Sequence, residues 1–87
     1  MQIDMNATRF EYKHEHMKYI CERIEYRSGA YWVIYRINES SMSRTKMLLT
    51  DKSTWGNVSV APKPLKFDTF YQTKIWLESH LQSQRAA

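Results

Sequence analysis

Residues 17–37 read MKYICERIEYRSGAYWVIYRI, two runs rich in aromatic and β-branched side chains on either side of Ser28-Gly29. Side chains of these types favour strands, and a turn signal between two such runs predicts a β-hairpin. We therefore expect antiparallel strands over about 17–26 and 31–37, and we expect this hairpin to form the centre of the fold.

The segment before the hairpin fits two structures. Over residues 9–16, Phe10 and Tyr12 alternate with charged residues as in a strand, whereas the density of charges suits a helix equally well. Residues 1–7 show no periodicity and are expected to form a loosely ordered lead-in.

The segment after the hairpin predicts short strands and an extended connector. Residues 45–50 are expected to form a third strand, and residues 58–60 suit a further short one. Pro62 and Pro64 favour an extended connector or a sheet edge, because proline has no backbone N–H to donate to a neighbouring strand.

The C-terminal region predicts a helix over about 70–82. Thr69 followed by Gln72 is a capping-box pattern, and Asp68 places negative charge near the helix N-terminus. On a helical wheel the buried stripe consists of Phe70, Leu77 and Leu81, with Thr73 and Trp76 along one flank. The predicted fold class is therefore α+β, with a three- or four-stranded antiparallel sheet and one C-terminal helix packed across it.

Length and composition indicate a single folded domain. The chain has 87 residues, 43% of them hydrophobic, which suits one domain over 1–87 with a small core. Its one cysteine, Cys21, excludes an internal disulfide and is typical of a reducing compartment. Neither a run of about 18 apolar residues nor a signal-peptide pattern occurs. We therefore expect a cytoplasmic protein (in the host cell if it is phage-encoded) with no membrane partner.

The residues capable of catalysis do not form a recognisable catalytic or metal pattern. His14 and His16 would project from one face of a strand, with His80 or Cys21 as a third ligand, but a metal site needs three or four converging ligands. Cys21 stands inside a predicted strand with no turn to expose it as a nucleophile. We expect no catalytic residue, no cofactor and no bound metal, and hence a non-enzymatic protein.

The segment 40–66 is basic and rich in loops, and it holds all of the chain's formal net charge of +4. Its cations are Arg44, Lys46, Lys52, Lys63 and Lys66, against Asp51 alone. Because cations beside short hydroxyl side chains suit phosphate contacts, these five are the candidate anion or nucleic-acid contacts. Trp55 in the same segment either contacts a partner or folds back onto the core.

The predicted helix also carries an apolar pair on its polar side. Tyr71 and Ile75 lie one turn apart, about 100° and 140° from the centre of the buried stripe. Such a pair has no role in folding unless something covers it. Either the N-terminal segment packs over the pair with Phe10 or Tyr12, or the pair binds a partner protein.

Two stretches resemble small domains of phages and mobile elements. Residues 67–77, FDTFYQTKIWL, resemble the capped helix that closes the sheet of such domains, and residues 29–35, GAYWVIY, are similar to their Gly-x-x-Trp strand. The arm-type DNA-binding domains of tyrosine recombinases, AP2-type plant domains and several phage anti-CRISPR proteins share this plan. The resemblance implies a sheet-plus-helix fold that works by binding.

Departures from this pattern change the expected partner. The DNA-binding relatives have short hairpins, whereas a long segment here separates residues 31–37 from the helix. Tyr71 and Ile75 stand where the pattern usually has Glu and Ala, which favours protein recognition over DNA recognition. The contacts expected with a partner protein are therefore Tyr71, Ile75 and Trp55.

The expected function is that of a phage- or prophage-type accessory protein. It would inhibit or modulate a host protein or nucleoprotein complex by binding and occlusion, as an anti-CRISPR protein does. The alternative is a small DNA-binding accessory protein of the recombinase-arm or excisionase kind that uses segment 40–66. The sequence leaves the oligomeric state open.

Overall fold

The computed structural model describes the backbone of residues 8–85 and the side chains of residues 8–83. The predicted lead-in, residues 1–7, lies outside the described residues. The elements, in chain order, are β1 (Arg9–His14), β2 (Met17–Tyr26), β3 (Gly29–Asn38), β4 (Lys46–Leu49), β5 (Trp55–Asn57), a 3-10 turn (Val58–Val60) and α1 (Phe70–Arg85). The strands form one antiparallel sheet in the order β1-β2-β3-β4-β5. The predicted α+β fold with a C-terminal helix is confirmed, but the sheet has five strands rather than three or four.

The central hairpin forms where the sequence predicts it. β2 and β3 pair in register from Met17 opposite Asn38 to Tyr26 opposite Gly29. Residues 9–16, which the sequence leaves open between strand and helix, form β1 and the turn that follows it. β1 pairs with β2 along its whole length, so pairing with the hairpin decides the conformation of this charged segment.

The prediction of a strand at residues 58–60 is wrong. Val58–Val60 form a 3-10 turn, whose N-cap Asn57 accepts a backbone N–H with its side chain at 2.9 Å. The next residue, Ala61, has a left-handed backbone with φ 48° and ends the turn. The strand lies just before it as β5, which the sequence does not indicate because Gly56 and Asn57 are poor strand formers.

The connector from the 3-10 turn to α1 runs back along the sheet. Thr50 bridges to Pro64, and Trp32 bridges to Phe67. Trp32 and Phe67 exchange two backbone hydrogen bonds of 2.7 and 2.9 Å. These bonds place the connector beside β3 beyond the end of β4 and bring the chain to the start of the helix.

Helix α1 begins with the predicted cap. The Gln72 N–H donates to Thr69 Oγ1 at 3.2 Å, while Gln72 Oε1 accepts the Asp68 N–H at 2.8 Å. The capping box is confirmed, although the Gln72 side chain reaches one residue farther back than the usual motif. The helix ends at Arg85 rather than near residue 82.

The core lies between α1 and one face of the sheet. The buried cluster consists of Tyr19, Cys21, Trp32, Ile34, Leu49, Leu77 and Leu81. Thr73 of α1 is fully buried, so the flank predicted for the stripe also packs inward. The described part of the chain has no helix that is long and apolar enough to span a bilayer.

The other face of the sheet has its own apolar centre of Ile20, Val33 and Leu48, all buried. Tyr35 pairs with Ile20 on one side and with Leu48 on the other. The Lys46 ammonium lies 4.1 Å from the centre of the Tyr35 ring, a cation–π contact. Aromatic rings and lysine stems of the sheet itself thus help to shield this face.

Candidate functional site

A groove runs between the edge strand β1 and helix α1. Its volume is about 230 Å³, its apolar lining is Phe10, Tyr12, Cys21, Phe70, Leu77 and Leu81, and Glu11, Lys74 and Glu78 also border it. An apolar groove with a few charged groups at its border suits an apolar ligand group or an apolar side chain of a partner.

Three aromatic rings fix the geometry of this groove. Phe10 stacks on Phe70 with ring centroids 4.0 Å apart, and both rings contact Trp32 at centroid distances of 5.9 and 5.5 Å. The contact joins β1 to the first turn of α1. Leu77 and Leu81 lie on the same side of the helix as Phe70 and continue the wall of the groove.

Tyr71 and Ile75 form a second apolar patch on the outer side of α1, beyond Lys74 and Glu78 at the border of the groove. Tyr71 is 68% exposed and Ile75 is 46% exposed. Phe10 stacks instead on Phe70, and Tyr12 lines the groove while remaining 51% exposed. Among the described residues, therefore, neither predicted covering side chain removes this pair from solvent. We define the groove together with Tyr71 and Ile75 as the docking face.

Trp55 is not part of the docking face, because its ring folds back onto the core. It is partly buried, and its ring centroid lies 6.1 Å from that of Tyr19 and 5.9 Å from that of Trp76. The Arg36 guanidinium lies 4.5 Å from the centre of the Trp55 ring. Trp55 thus serves in packing on the β5 side of the molecule.

The aromatic cluster around Trp55 contains a partly buried cation and an imidazole. His80 stacks on Trp76 with ring centroids 4.8 Å apart and an angle of 14° between the ring planes. Burial lowers the pKa of His80, and the positive charge of Arg36 lowers it further. Burial also lowers the pKa of Arg36, opposed by its interaction with Tyr19. The cluster therefore favours a neutral His80 beside the guanidinium.

Cys21 lies at the base of the groove as a buried thiol. Burial raises its pKa, partly offset by a hydrogen bond with Thr73. A buried thiol with a raised pKa is a poor nucleophile, because the thiolate is the reactive form. Cys21 therefore suits packing under α1 better than covalent chemistry.

The candidate metal ligands lie in separate parts of the fold, apart from His14 and His16, which are neighbours at the end of β1. His14 ends β1, His16 lies in the following turn, and His80 packs against Trp76. Within the described residues, no three His, Cys, Asp or Glu side chains are grouped so that they could hold a metal ion.

The candidate anion contacts are distributed over several elements. Lys46 on β4 and Lys66 on the connector lie over tyrosine rings of β3, on the sheet face away from α1. Arg44, Lys52 and Lys63 are exposed residues of the loops. The structure thus associates two of the five with aromatic rings on one sheet face.

The sequence points to Tyr71 and Ile75 but not to the groove beside them. The groove depends on Phe10 and Tyr12 projecting from β1 toward α1. Their alternation with charged residues is the one signal that could have revealed it, provided residues 9–16 are read as a strand.

No protein-family model, no curated protein and no solved structure matches the chain. Its function is therefore inferred from the geometry of the docking face.

Proposed function

We propose that this chain is a non-enzymatic binding protein that attaches to a partner protein through its docking face. The observation that carries the proposal is the 68% exposure of Tyr71 on the same helix whose Phe70, Leu77 and Leu81 line the apolar groove. Tyrosine is enriched among the residues that dominate protein interfaces, and such residues fill apolar pockets or surround them.

The charges around the docking face suit a protein better than a nucleic acid. Lys74 is accompanied by the carboxylate of Glu78, so cations do not predominate at the border of the groove. Binding to nucleic acid relies on cations that neutralise phosphates. A border of mixed charge around an apolar centre resembles the polar rim of a protein interface.

The biological role in this proposal is occlusion. A small rigid domain that covers a functional surface of a host protein or nucleoprotein complex inhibits or modulates it without chemistry. Phage- and prophage-type accessory proteins, anti-CRISPR proteins among them, act in this way, and the resemblance of residues 67–77 and 29–35 to their domains motivates the assignment.

A second candidate function is DNA binding by the basic segment 40–66. Its support is the sheet face away from α1, where Lys46 and Lys66 lie over Tyr35 and Tyr31 at 4.1 and 4.8 Å. Cations beside aromatic rings occur in nucleic-acid-binding surfaces. The two candidates use different surfaces, so separate variants distinguish them.

Affinity capture from a nuclease-treated bacterial lysate tests the proposal. Each bait is checked for its melting temperature before use. We expect Tyr71→Ala and Ile75→Glu to weaken capture of the partner by about 2 kcal/mol or more, because anchor residues carry most of an interface's energy. Ser79→Glu, on an exposed part of the same helix, is the control and should capture normally. Equal capture by all three folded variants would contradict the proposal.

A further inference from the structure

The edge strand β1 has hydrogen-bonding groups that no described strand uses. β1 is the first strand of the sheet, and only β2 pairs with it among residues 8–85. The Arg23 N–H donates to the Thr8 carbonyl at 2.8 Å. Because bonding alternates along an antiparallel pair, Phe10, Tyr12 and His14 bond to β2, whereas the residues between them point their N–H and C=O groups outward.

The outward-pointing residues are Arg9, Glu11 and Lys13, and their charges alternate in sign. Their side chains project from the sheet face away from α1, since Phe10 and Tyr12 project toward it. Edge strands that resist pairing commonly carry lysines or other charges that repel a second strand. An alternating row is instead complementary to its own antiparallel copy.

A second copy of β1 can pair antiparallel with the first about a two-fold axis at one of several residues, and the charges favour one of these registers. A two-fold axis at Tyr12 places Glu11 opposite Lys13 of the second copy in two equivalent pairs, each of which also exchanges backbone hydrogen bonds. An axis at Glu11 places the Glu11 residues of the two copies opposite each other, and it places Arg9 opposite Lys13 of the second copy. Like charges directly opposite each other destabilise a strand pair, whereas opposite charges stabilise it.

An axis at Phe10 is less favourable for a different reason. It matches Arg9 with Glu11 and opposes the two Phe10 rings, but each Phe10 ring already packs on Phe70 and Trp32, and the half-exposed Tyr12 ring lies opposite Thr8 rather than opposite another ring. The axis at Tyr12 instead sets the two Tyr12 rings side by side on the helix side of the sheet. Aromatic cross-strand pairs are favourable.

Existing ion pairs leave the charged groups accessible. Glu11 lies 2.9 Å from Arg9 and 3.5 Å from Lys18, yet its side chain is 48% exposed. Lys13 lies 3.2 Å from Glu39 and its side chain is 65% exposed. A strand added along β1 meets both groups at the surface.

We propose that a second copy of this chain adds to β1 about a two-fold axis at Tyr12 and completes the docking face. Such an axis is perpendicular to the continuous sheet, so both α1 helices lie on the same side. Tyr12 of the second copy then extends the wall of the groove, and the two docking faces adjoin. This inference rests on the proposed function for the role of the groove but not for the pairing itself.

Charge exchange tests the pairing in purified protein. Sedimentation velocity over a concentration series measures the dimer dissociation constant of the parent, Glu11→Lys, Lys13→Glu and the double variant. Each single change should weaken association about tenfold or more, because it turns two symmetry-related attractions into repulsions. The double variant restores opposite charges in both pairs and should associate like the parent. Melting temperatures confirm that all four proteins are folded.

Several results would overturn the inference. The inference fails if the parent stays monomeric at the highest soluble concentration. It also fails if the double variant associates no more tightly than the single variants. An effect of Glu11→Lys without one of Lys13→Glu would indicate the axis at Phe10 instead. A monomeric parent whose partner capture still depends on Tyr71 would overturn the pairing alone. A charge-dependent dimer whose Tyr71 and Ile75 variants capture normally would overturn the docking proposal alone.

Discussion

Phe10 on the edge strand stacks on Phe70, the first residue of the helix, with ring centroids 4.0 Å apart and planes 28° from parallel. This contact fastens β1 to α1 at one end of the groove. The docking face therefore lies on a packed junction between a strand and a helix, which positions the stretch of α1 backbone that carries Tyr71 and Ile75.

The buried side of α1 should be sensitive to truncation. We expect Leu77→Ala and Leu81→Ala each to lower the free energy of unfolding by about 2–5 kcal/mol, because both leave cavities in the core. Phe70→Ala should cost a similar amount by removing the stack on Phe10. Thermal or denaturant unfolding measures the effect. Ser79→Ala is the matched control, and variants that unfold like the parent would show that α1 is not docked by this side.

Trp55 should act in folding rather than in partner binding. Trp55→Ala removes ring contacts with Tyr19 and Trp76 and should lower the free energy of unfolding by about 2–4 kcal/mol. Trp55→Phe keeps an aromatic ring and should lose less. Partner capture at a temperature where both variants are folded should match the parent, and a stable Trp55→Ala protein that no longer captures its partner would contradict this assignment.

His80 should make the fold less stable in mild acid. Its folded pKa is lowered by burial and by Arg36, whereas an unfolded histidine titrates near pH 6.5. Below that pH the unfolded chain binds more protons than the folded one, so stability falls as pH decreases toward the folded pKa. Melting temperatures at pH 7.5 and about 5.5 measure the loss.

Two variants isolate the contribution of His80. His80→Gln should reduce the difference in melting temperature between the two pH values, while His16→Gln, in the turn after β1, should retain it. The same difference in His80→Gln as in the parent would show that other groups cause the pH dependence.

Binding to duplex DNA tests the alternative function. If segment 40–66 makes about three to five phosphate contacts, the plot of log affinity against log salt should have a slope near −3 to −5. Lys63→Gln together with Lys66→Gln should flatten that slope by up to about two. Fluorescence anisotropy at several salt concentrations decides the matter. Absence of binding at low salt would rule out this function. Because Ile75 lies on the docking face and not in segment 40–66, we expect Ile75→Glu to leave any DNA affinity unchanged.

The sequence predicts those parts of the fold that local pattern determines. The 17–37 hairpin has strand-forming side chains and a turn signal, and α1 has a cap and a periodic stripe. The conformation of β1 cannot be predicted from its own residues, because its charges suit a strand and a helix equally well. Pairing with β2 decides between the two. β5 is missed because Gly56 and Asn57 lack strand-forming side chains. The valines of Val58–Val60 favour a strand by composition, but these residues form a 3-10 turn.

The docking face is only partly visible in the sequence. Tyr71 and Ile75 stand out on a helical wheel, because the periodicity of one helix predicts which residues are exposed. The groove and the position of Trp55 depend on contacts between distant segments, such as Phe10 with Phe70 and Trp55 with Trp76. Local patterns carry no information on such pairings.

A photo-cross-linker at position 71 tests most directly whether the docking face contacts a protein. Tyr71 is replaced by p-benzoylphenylalanine, which keeps an aromatic ring, and the bait is irradiated in a bacterial lysate; the same group at Ser79 is the control. We expect a nuclease-resistant cross-link to a protein from position 71 that is lost when Ile75→Glu is added, and none from position 79. Cross-links to nucleic acid alone, or equal cross-links from both positions, would contradict this expectation.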